Sequence, residues 1–490
     1  MKNRHPRGLY VLFFTEMWER FSYYGMRALL IFYMTRHFLF GDERAYATYG
    51  SYTALVYATP VLGGWLADRL LGFRRAVILG AVLMAAGHFA MAFEQLQIFY
   101  LALGFLIVGN GFFKPNISSI VGRLYPEGDP RRDSGFTIFY MGINLGAGAA
   151  PLLCGYVGET YGWDWGFGLA GVGMLLGLMV FLQGQRHLGE AAEAPDRARL
   201  RERPVPGINR EWLTYLGALG LVIVAWQLVQ ISQLVGSLLS GVGALVSALL
   251  IYYLVRKVDK VERDRLIVAL VLTLFSMVFW AFFEQAGSSI NLFTDRNVDR
   301  SLFGKSIPAS VFQSVNPAFI LTFAPVFAWL WVRLGRRGIE PATPTKFGLG
   351  ILQLGLGFGA LYFGAASAGS DGVVAIGWLL LGYLLHTTGE LCLSPVGLSM
   401  ITKLSPARIV GLMMGTWFLS SAFAQYVAGL IAKLTGVKEH GGAEAALPHP
   451  SETVMVYGDV FGKLGLVAVV VGVLVLLLSP LMQKRMHGIH

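Results

Sequence analysis

The sequence contains very little cysteine and little charge. Its two cysteines, Cys154 and Cys392, lie in apolar segments without metal-ligand spacing or a convincing disulfide partner, so redox chemistry and a metal centre have no support. Charged residues make up only 14% of the 490 residues, whereas apolar residues make up 55%. This balance argues against a soluble multidomain protein and indicates a polytopic membrane protein with repeated hydrophobic spans.

The net charge of +10 could indicate a nucleic-acid partner, but the placement of the basic residues argues against one. When loops are assigned by alternation from a cytoplasmic N-terminus, most of the 39 Lys and Arg residues fall on the cytoplasmic side, as the positive-inside rule requires. The first span is too long and too charged for a signal peptide and lacks a small-residue cleavage site. We therefore expect a multi-pass protein of the cell inner membrane, surrounded by lipid bilayer, with both termini cytoplasmic.

Hydrophobic segments predict an all-α chain with fourteen transmembrane helices. Residues 1–184 contain six of them, 185–210 form a polar cytoplasmic linker with prolines, 211–260 contain two helices nearly free of ionisable residues, and 261–490 contain six more. We interpret the pair as a structural insertion. Two six-helix halves suggest a transporter built from repeats, with its site between them near the midplane.

The first span, residues 8–36, carries four charges in the interior of an otherwise apolar run. A charge at mid-bilayer depth costs on the order of 3 kcal/mol or more, so these side chains must face protein or water. Their spacing places them on one helical stripe together with two tyrosines. The stripe consists of Glu16, Glu19, Arg20, Tyr23, Tyr24 and Arg27. Glu16 alone could snorkel to the interface, but snorkelling cannot explain the set, since Arg27 lies roughly 16 Å further along the helix.

Three more ionisable residues are predicted within spans, namely Lys114, Glu284 and Glu390. With the first span they give four carboxylates and three cations. Like charges in a low-dielectric cavity cannot all stay ionised, so one carboxylate is expected to alternate between a protonated and a paired state. The charges do not identify which one. They provide a chemical basis for proton coupling, with protons as the coupling ion and no other cofactor.

Cations at one end of a cavity and a carboxylate at the other match a zwitterion whose amine and carboxylate are several ångströms apart. Arg27 and Lys114 would bind the carboxylate, and Glu390 would bind the amine. Asn144 and Asn316 could hydrogen-bond peptide groups or simply join helices. Aromatic residues could form tolerant walls, although ordinary packing is the commoner role of each alone. These aromatic candidates are Tyr23, Tyr24, Tyr57, Trp280 and Trp417.

The segment Gly63–Arg75, GGWLADRLLGFRR, is predicted to be a short cytoplasmic loop between the second and third spans. Its arginines could be topology signals only, but Asp68 and Arg69 lie beside glycines that permit close helix approach, which suggests a gating contact. The segment resembles the signature of the major facilitator superfamily. The corresponding loop of the second half contains LGRRG near Arg336, a weaker match.

Other motifs are more specific. EMWERFSYYG, residues 16–25, resembles the ExxER signature of the proton-dependent oligopeptide transporter family, and FTIFYMGINLGAG, residues 136–148, resembles its fifth-helix signature. GGWLADRLLG, GNGFFKPN, FFEQ, NPAF and GELCLSPVG fit the same family, so the resemblance runs through the whole chain. It implies the major facilitator fold of two six-helix bundles plus two extra helices, alternating access, and symport of di- and tripeptides with protons.

The resemblance also implies roles for the buried charges. The proton-coupling positions are Glu16, Glu19, Arg20 and Glu284. Arg27 and Glu284 would form an ion pair on the periplasmic side that responds to proton and peptide. Lys114 would pair with Glu390 or hold the peptide carboxylate.

Further positions match the peptide pocket of the family. The polar ones are Asn144, Gln313, Asn316 and Ser421, and the aromatic ones are the five named above. One departure concerns the second helix, where animal members use a histidine. Residues 49–57 contain none, so the proton should reside on a glutamate. The chain also lacks a long extracellular insertion between helices nine and ten and resembles bacterial members, and we expect it to function as a monomer.

Three alternatives compete with peptide symport. A relative carrying nitrate or another small solute would have no use for Glu390 as an ammonium partner. A non-transporting peptide sensor would keep the same pocket, and only flux separates it from a transporter. A membrane hydrolase using Glu16 and Glu19 as acid and base would need carboxyl groups on opposed sides of a substrate, which neighbours on one helical face suit poorly.

Overall fold

The computed structural model describes residues 4–126, 128–302, 304–436 and 449–489. Over these ranges the chain forms eighteen α-helices and one antiparallel hairpin, β1 Ser301–Leu302 with β2 Lys305–Ser306. The helices are α1 Arg7–Phe32, α2 Asp42–Ala58, α3 Pro60–Leu66, α4 Phe73–Met91, α5 Leu96–Arg123, α6 Arg132–Ala150, α7 Tyr156–Tyr161, α8 Trp163–Gly184, α9 Arg197–Arg201, α10 Arg210–Gln230, α11 Ser232–Arg256, α12 Lys260–Phe283, α13 Ser289–Asn297, α14 Val315–Arg336, α15 Thr343–Ala366, α16 Ile376–Leu404, α17 Val410–Lys433 and α18 Pro450–Arg485. The predicted all-α polytopic class is confirmed.

Twelve helical segments of the described ranges are long and apolar enough to cross a membrane. A helix is the natural form for such runs, because lipid offers no partner for backbone N–H and C=O groups. The first two predicted spans are helical but fall outside this set. Helix α1 carries five charged residues within its length, and α2 is only 17 residues long.

Contacts divide the described residues into two compact units. Unit 1 contains Met1–Phe38 and Ser51–Val235. Within it, α1 packs against α6 and α8, and α4 packs along α5. The α4–α5 contact is close because a Cβ at Gly80 would lie only 2.6 Å from the carbonyl oxygen of Gly109. Glycine therefore permits a helix separation that a side chain would prevent.

Unit 2 contains Leu39–Gly50 and Gly236–His490. Within it, α15 packs between α16 and α18, and α12 packs against α17. Most of α11 belongs to this unit, whereas α10 packs against α5 in unit 1. The two-helix insertion and the domain limits derived from the sequence stay predictions.

Two connecting segments contain more structure than their sequences suggest. Residues 185–210 form short helical turns and α9, and they bury Leu188 and Leu200. Arg74 of α4 forms an ion pair with Glu193 of this segment at 2.8 Å. The segment is therefore folded onto unit 1 by two apolar side chains and an ion pair.

The prediction of a loop at Gly63–Arg75 is wrong. Helix α3 continues as a π-helical turn over Ala67–Leu71, and the chain breaks only at Gly72, which has φ of 75°. The glycines in this segment do not mark a turn; Gly63 instead packs against the backbone of Gly111 in α5. Only the glycine that adopts a left-handed conformation ends the helix.

Candidate functional site

The polar stripe of α1 forms a buried ionic cluster in unit 1. The side chains of Glu16 and Glu19 are completely buried, and that of Arg20 is only 8% exposed. Arg20 donates to both carboxylate oxygens of Glu19, with its Nη2 at 2.5 Å from Oε1, and its Nε lies 3.5 Å from Glu16. A guanidinium has the planar fork that suits such a bidentate contact. Arg20 thus pairs with both carboxylates of the motif.

Helix α5 supplies the second cation of the cluster. The Nζ of Lys114 donates a hydrogen bond to Oε1 of Glu16. The cluster then contains two carboxylates and two cations, so its formal charges cancel, which lowers the cost of burying them. The Oε2 atom of Glu16 is buried and accepts no hydrogen bond within the described residues.

This contact gives Lys114 a partner that the resemblance did not imply, while its other expected contacts stay predictions. The resemblance paired it with Glu390 or with a peptide carboxylate, but in the structure its carboxylate partner is Glu16. The reason is local, since α1 and α5 pack in the same unit and a buried Glu16 needs a second positive neighbour beside Arg20. The sequence analysis placed Glu16, Lys114 and Glu390 in one site, but it did not determine which of these residues pair with each other.

The two tyrosines of the stripe lie against its arginines. Tyr23 is buried, and its ring meets that of Tyr24 edge-on with centroids 5.3 Å apart. The guanidinium of Arg20 lies 4.9 Å from the Tyr23 ring centroid, and that of Arg27 lies 5.9 Å from the Tyr24 centroid. These cation–π contacts add to the ion pairs in fixing the arginine positions. The structure therefore brings the whole predicted stripe together.

In unit 2 the structure places Glu390 of α16 beside Asn316 of α14. The Asn316 amide donates to Oε2 of Glu390 at 3.0 Å and to Thr387 Oγ1 at 2.9 Å. Glu390 is only 7% exposed. Within the described residues of unit 2, no cation lies at ion-pair distance from this carboxylate. Glu390 is therefore a buried carboxylate whose hydrogen-bond donor, the Asn316 amide, is neutral.

The other sequence-predicted positions are spread over both units. In unit 1, Asn144 donates to the Tyr140 carbonyl at 3.0 Å, and Tyr57 is half-buried. Asp68 forms an exposed ion pair with Arg123 at 3.2 Å. Arg69 lies over the ring of Trp65, with 5.5 Å between the Cζ atom and the ring centroid.

In unit 2, Glu284 is buried in the helical turn that follows α12, one turn after Trp280. The amide nitrogen of Gln313 is buried without a hydrogen-bond partner in the part of the chain that the structure describes. On α17, the hydroxyl of Ser421 donates to the carbonyl of Trp417 at 3.1 Å. The contacts of these residues with substrate stay predictions.

Sequence reasoning missed a buried ion pair in unit 2, which is separate from the ionic cluster of unit 1. Two nitrogens of Arg296 in α13 each lie 2.7 Å from an oxygen of Asp42, at the start of α2. Tyr457 of α18 accepts a further hydrogen bond from Arg296 at 3.0 Å. Both charged side chains are less than a tenth exposed. The local sequence offers little signal for this pair, because the residues directly before Arg296 include Ser288, Ser289, Asn291 and Asp295.

Comparison with known proteins identifies the class and the family. Residues 74–446 match the model of the POT family. The chain is 42% identical to the uncharacterized transporter YclF of Bacillus subtilis, covering 99% of this chain and 96% of that protein. It is 40% identical to the peptide transporter YePEPT of Yersinia enterocolitica, covering 87% of each chain.

A solved structure gives the same result. The crystal structure of a variant of the peptide transporter POT in complex with alafosfalin superposes with a TM-score of 0.82 at 40% identity, covering 100% of this chain and 97% of that one. The fold is therefore that of a polytopic membrane transporter. The chain belongs to the POT family, and the resemblance derived from its motifs is confirmed.

Proposed function

We propose that this chain is a proton-coupled symporter that imports di- and tripeptides by alternating access. Relatives named as peptide transporters support the substrate class. We further propose that it acts as a monomer in the cell inner membrane with both termini cytoplasmic. Proton coupling is a property of the family, and the buried carboxylates provide groups that can carry it.

The observation that carries the proposal is the state of Glu390. Glu390 is a buried carboxylate with one neutral donor, and no cation of the described residues of unit 2 lies at ion-pair distance, so its charge is poorly compensated. A peptide ammonium supplies both a positive charge and up to three N–H donors. Glu390 is therefore the group that binds the peptide amine, with Asn316 orienting its carboxylate.

The cluster in unit 1 offers a coupling step. Lys114 is engaged by Glu16, and the second oxygen of Glu16 has no donor within the described residues. Protonation of Glu16 removes its negative charge and weakens its hold on Lys114. The released ammonium can then bind the peptide carboxylate together with Arg27. Proton binding and peptide binding thus favour the same state of Lys114.

The remaining positions complete the proposed site. The peptide pocket comprises Tyr23, Tyr24, Arg27, Tyr57, Lys114, Asn144, Trp280, Gln313, Asn316, Glu390, Trp417 and Ser421. Proton-coupling roles are proposed for Glu16, Glu19, Arg20 and Glu284, and gating roles for Arg27 with Glu284, Lys114 with Glu390, and Asp68 with Arg69. Gating by Lys114 requires that it exchange its present partner, Glu16.

Flux of a labelled dipeptide tests the function directly. Purified protein in proteoliposomes is given labelled dialanine with and without an inward acid gradient, and free alanine and nitrate are added as competitors. We expect accumulation that needs the gradient and resists both competitors. Nitrate flux without peptide flux would reject the substrate while leaving the fold unchanged. Peptide binding without flux in either condition would favour a sensor instead.

A further inference from the structure

The end of α14 carries three arginines around a small cavity. This cavity has a volume of about 310 Å³ and is lined by Trp329, Val332, Arg333, Arg336 and Arg337. These positions follow i, i+3, i+4, i+7 and i+8, so they form one stripe along the last turns of the helix. All five side chains are exposed.

The three arginines of this stripe have no carboxylate partner. No carboxylate of the described residues lies at ion-pair distance from Arg333, Arg336 or Arg337. The next acidic residue along the chain, Glu340, is held by Lys346 at 2.5 Å. Like charges three and four residues apart repel each other on a helix. An anion placed among them would relieve this repulsion and accept bidentate hydrogen bonds.

The cavity adjoins an apolar surface that faces away from the protein. Trp329 is 58% exposed and Val332 is 55% exposed, on a helix that is long and apolar enough to span a membrane. The guanidinium of Arg333 lies 5.1 Å from the Trp329 ring centroid, which holds it at the boundary between the apolar and basic parts. Tryptophan commonly takes this position at the level of lipid headgroups.

We propose that the end of α14 is a binding site for an anionic phospholipid. Its phosphodiester lies among the three arginines, and its acyl chains lie along Val332 and Trp329. Charge complementarity and the continuous apolar surface favour a lipid over free phosphate, which would use the arginines alone. The proposal concerns the second-half segment LGRRG, and it does not depend on the transported substrate.

Lipid binding by the purified full-length protein tests the proposal. Native mass spectrometry measures binding of phosphatidylglycerol and of phosphatidylcholine to the unmodified chain and to a triple variant with Arg333→Gln, Arg336→Gln and Arg337→Gln. We expect the variant to bind phosphatidylglycerol roughly tenfold more weakly or worse, while phosphatidylcholine binding stays the same. A second variant with lysine at the three positions keeps the charge but loses the planar fork, and it should bind with intermediate affinity.

A matched control separates a specific site from general charge. Arg199, Arg201 and Arg203 are exposed arginines of the 185–210 segment, and changing all three to Gln alters the net charge equally. This control should leave phosphatidylglycerol binding unchanged, and an equal loss in the control would overturn the proposal. Equal binding of both lipids to the unmodified chain would overturn it as well. Displacement of phosphatidylglycerol by millimolar inorganic phosphate would reassign the site to free phosphate.

Discussion

Lys114 of α5 donates a hydrogen bond to Glu16 of α1, and this ion pair joins the two helices within unit 1, with Glu16 completely buried and Lys114 30% exposed. The carboxylate of Glu16 lies between this ammonium and the guanidinium of Arg20. Any change in the charge of Glu16 therefore changes its electrostatic interaction with both Lys114 and Arg20. The atoms of the proposed coupling step are therefore Oε1 of Glu16, Nζ of Lys114 and Nε of Arg20.

Replacing Lys114 with Gln should stop gradient-driven uptake and destabilise the protein. Removing one partner of a buried ion pair typically costs about 3–5 kcal/mol, because the other charge stays buried. Uptake assays and thermal unfolding measure the two effects. The double change Glu16→Gln with Lys114→Gln should recover part of the lost stability, since both charges are then absent.

The exposed lysine Lys305 provides a control for this test. Lys305→Gln should change neither uptake nor unfolding. A double variant no more stable than Lys114→Gln alone would contradict the direct pairing of Glu16 with Lys114.

Glu19→Gln should abolish gradient-driven uptake but retain counterflow exchange. The bidentate contact with Arg20 shows that this carboxylate takes part in the buried charge balance. Exchange of peptide for peptide need not deprotonate the coupling site, whereas net uptake must. Both fluxes are measured in the same proteoliposomes. Equal loss of exchange and uptake would argue against a coupling role for Glu19.

Glu390→Gln should raise the KM for dialanine by about tenfold or more. A hydrogen bond to a charged group contributes roughly 1.5–3 kcal/mol, and the variant loses the charge that binds the amine. N-acetyl-dialanine, which has no ammonium, should be an equally poor substrate for the variant and the unmodified protein. The exposed residue Glu452 provides the control Glu452→Gln, which should leave KM unchanged. A preference for free over acetylated dialanine that survives in Glu390→Gln would locate amine recognition elsewhere.

Gly80→Val should destabilise unit 1 by about 1–3 kcal/mol, the usual cost of overpacking. A Cβ at Gly80 would lie 2.6 Å from the Gly109 oxygen, so α4 and α5 must move apart. Gly168 of α8 has no atom within 4 Å of its Cβ position, which makes Gly168→Val a matched control. Thermal unfolding should separate the two variants, and equal melting temperatures would contradict the close α4–α5 contact.

The loop between α5 and α6 should show a pH-dependent contribution to stability. Hydrogen bonds from the side chain and backbone of Arg131 lower the pKa of Asp129 from 3.8 to about 2. Because the folded carboxyl has the lower pKa, its stabilising effect is present above pH about 4 and is lost as the pH falls toward 2. The difference in melting temperature between the unmodified protein and Asp129→Asn should therefore shrink over that interval. A difference independent of pH would exclude this ion pair as its source.

Much of the fold could be predicted because hydrophobic runs are a local property. The predicted first span, residues 8–36, agrees to within a residue with α1 Arg7–Phe32 and the π-helical turn that continues it to His37. The segment 63–75 was misjudged because glycine has two uses, breaking a helix or permitting close packing. At Gly63 the partner is Gly111, which is distant in sequence, so no local pattern could reveal the contact.

The sequence alone determined which side chains share the polar stripe of α1, because helical periodicity follows from spacing. It also determined that buried charges must be compensated. Tertiary structure decided the partners: Lys114 binds Glu16, Asn316 binds Glu390, and Arg296 binds Asp42. Each of these contacts joins helices far apart along the chain. Electrostatics requires some counter-charge or donor for a buried carboxylate, but only helix packing determines which one comes within reach.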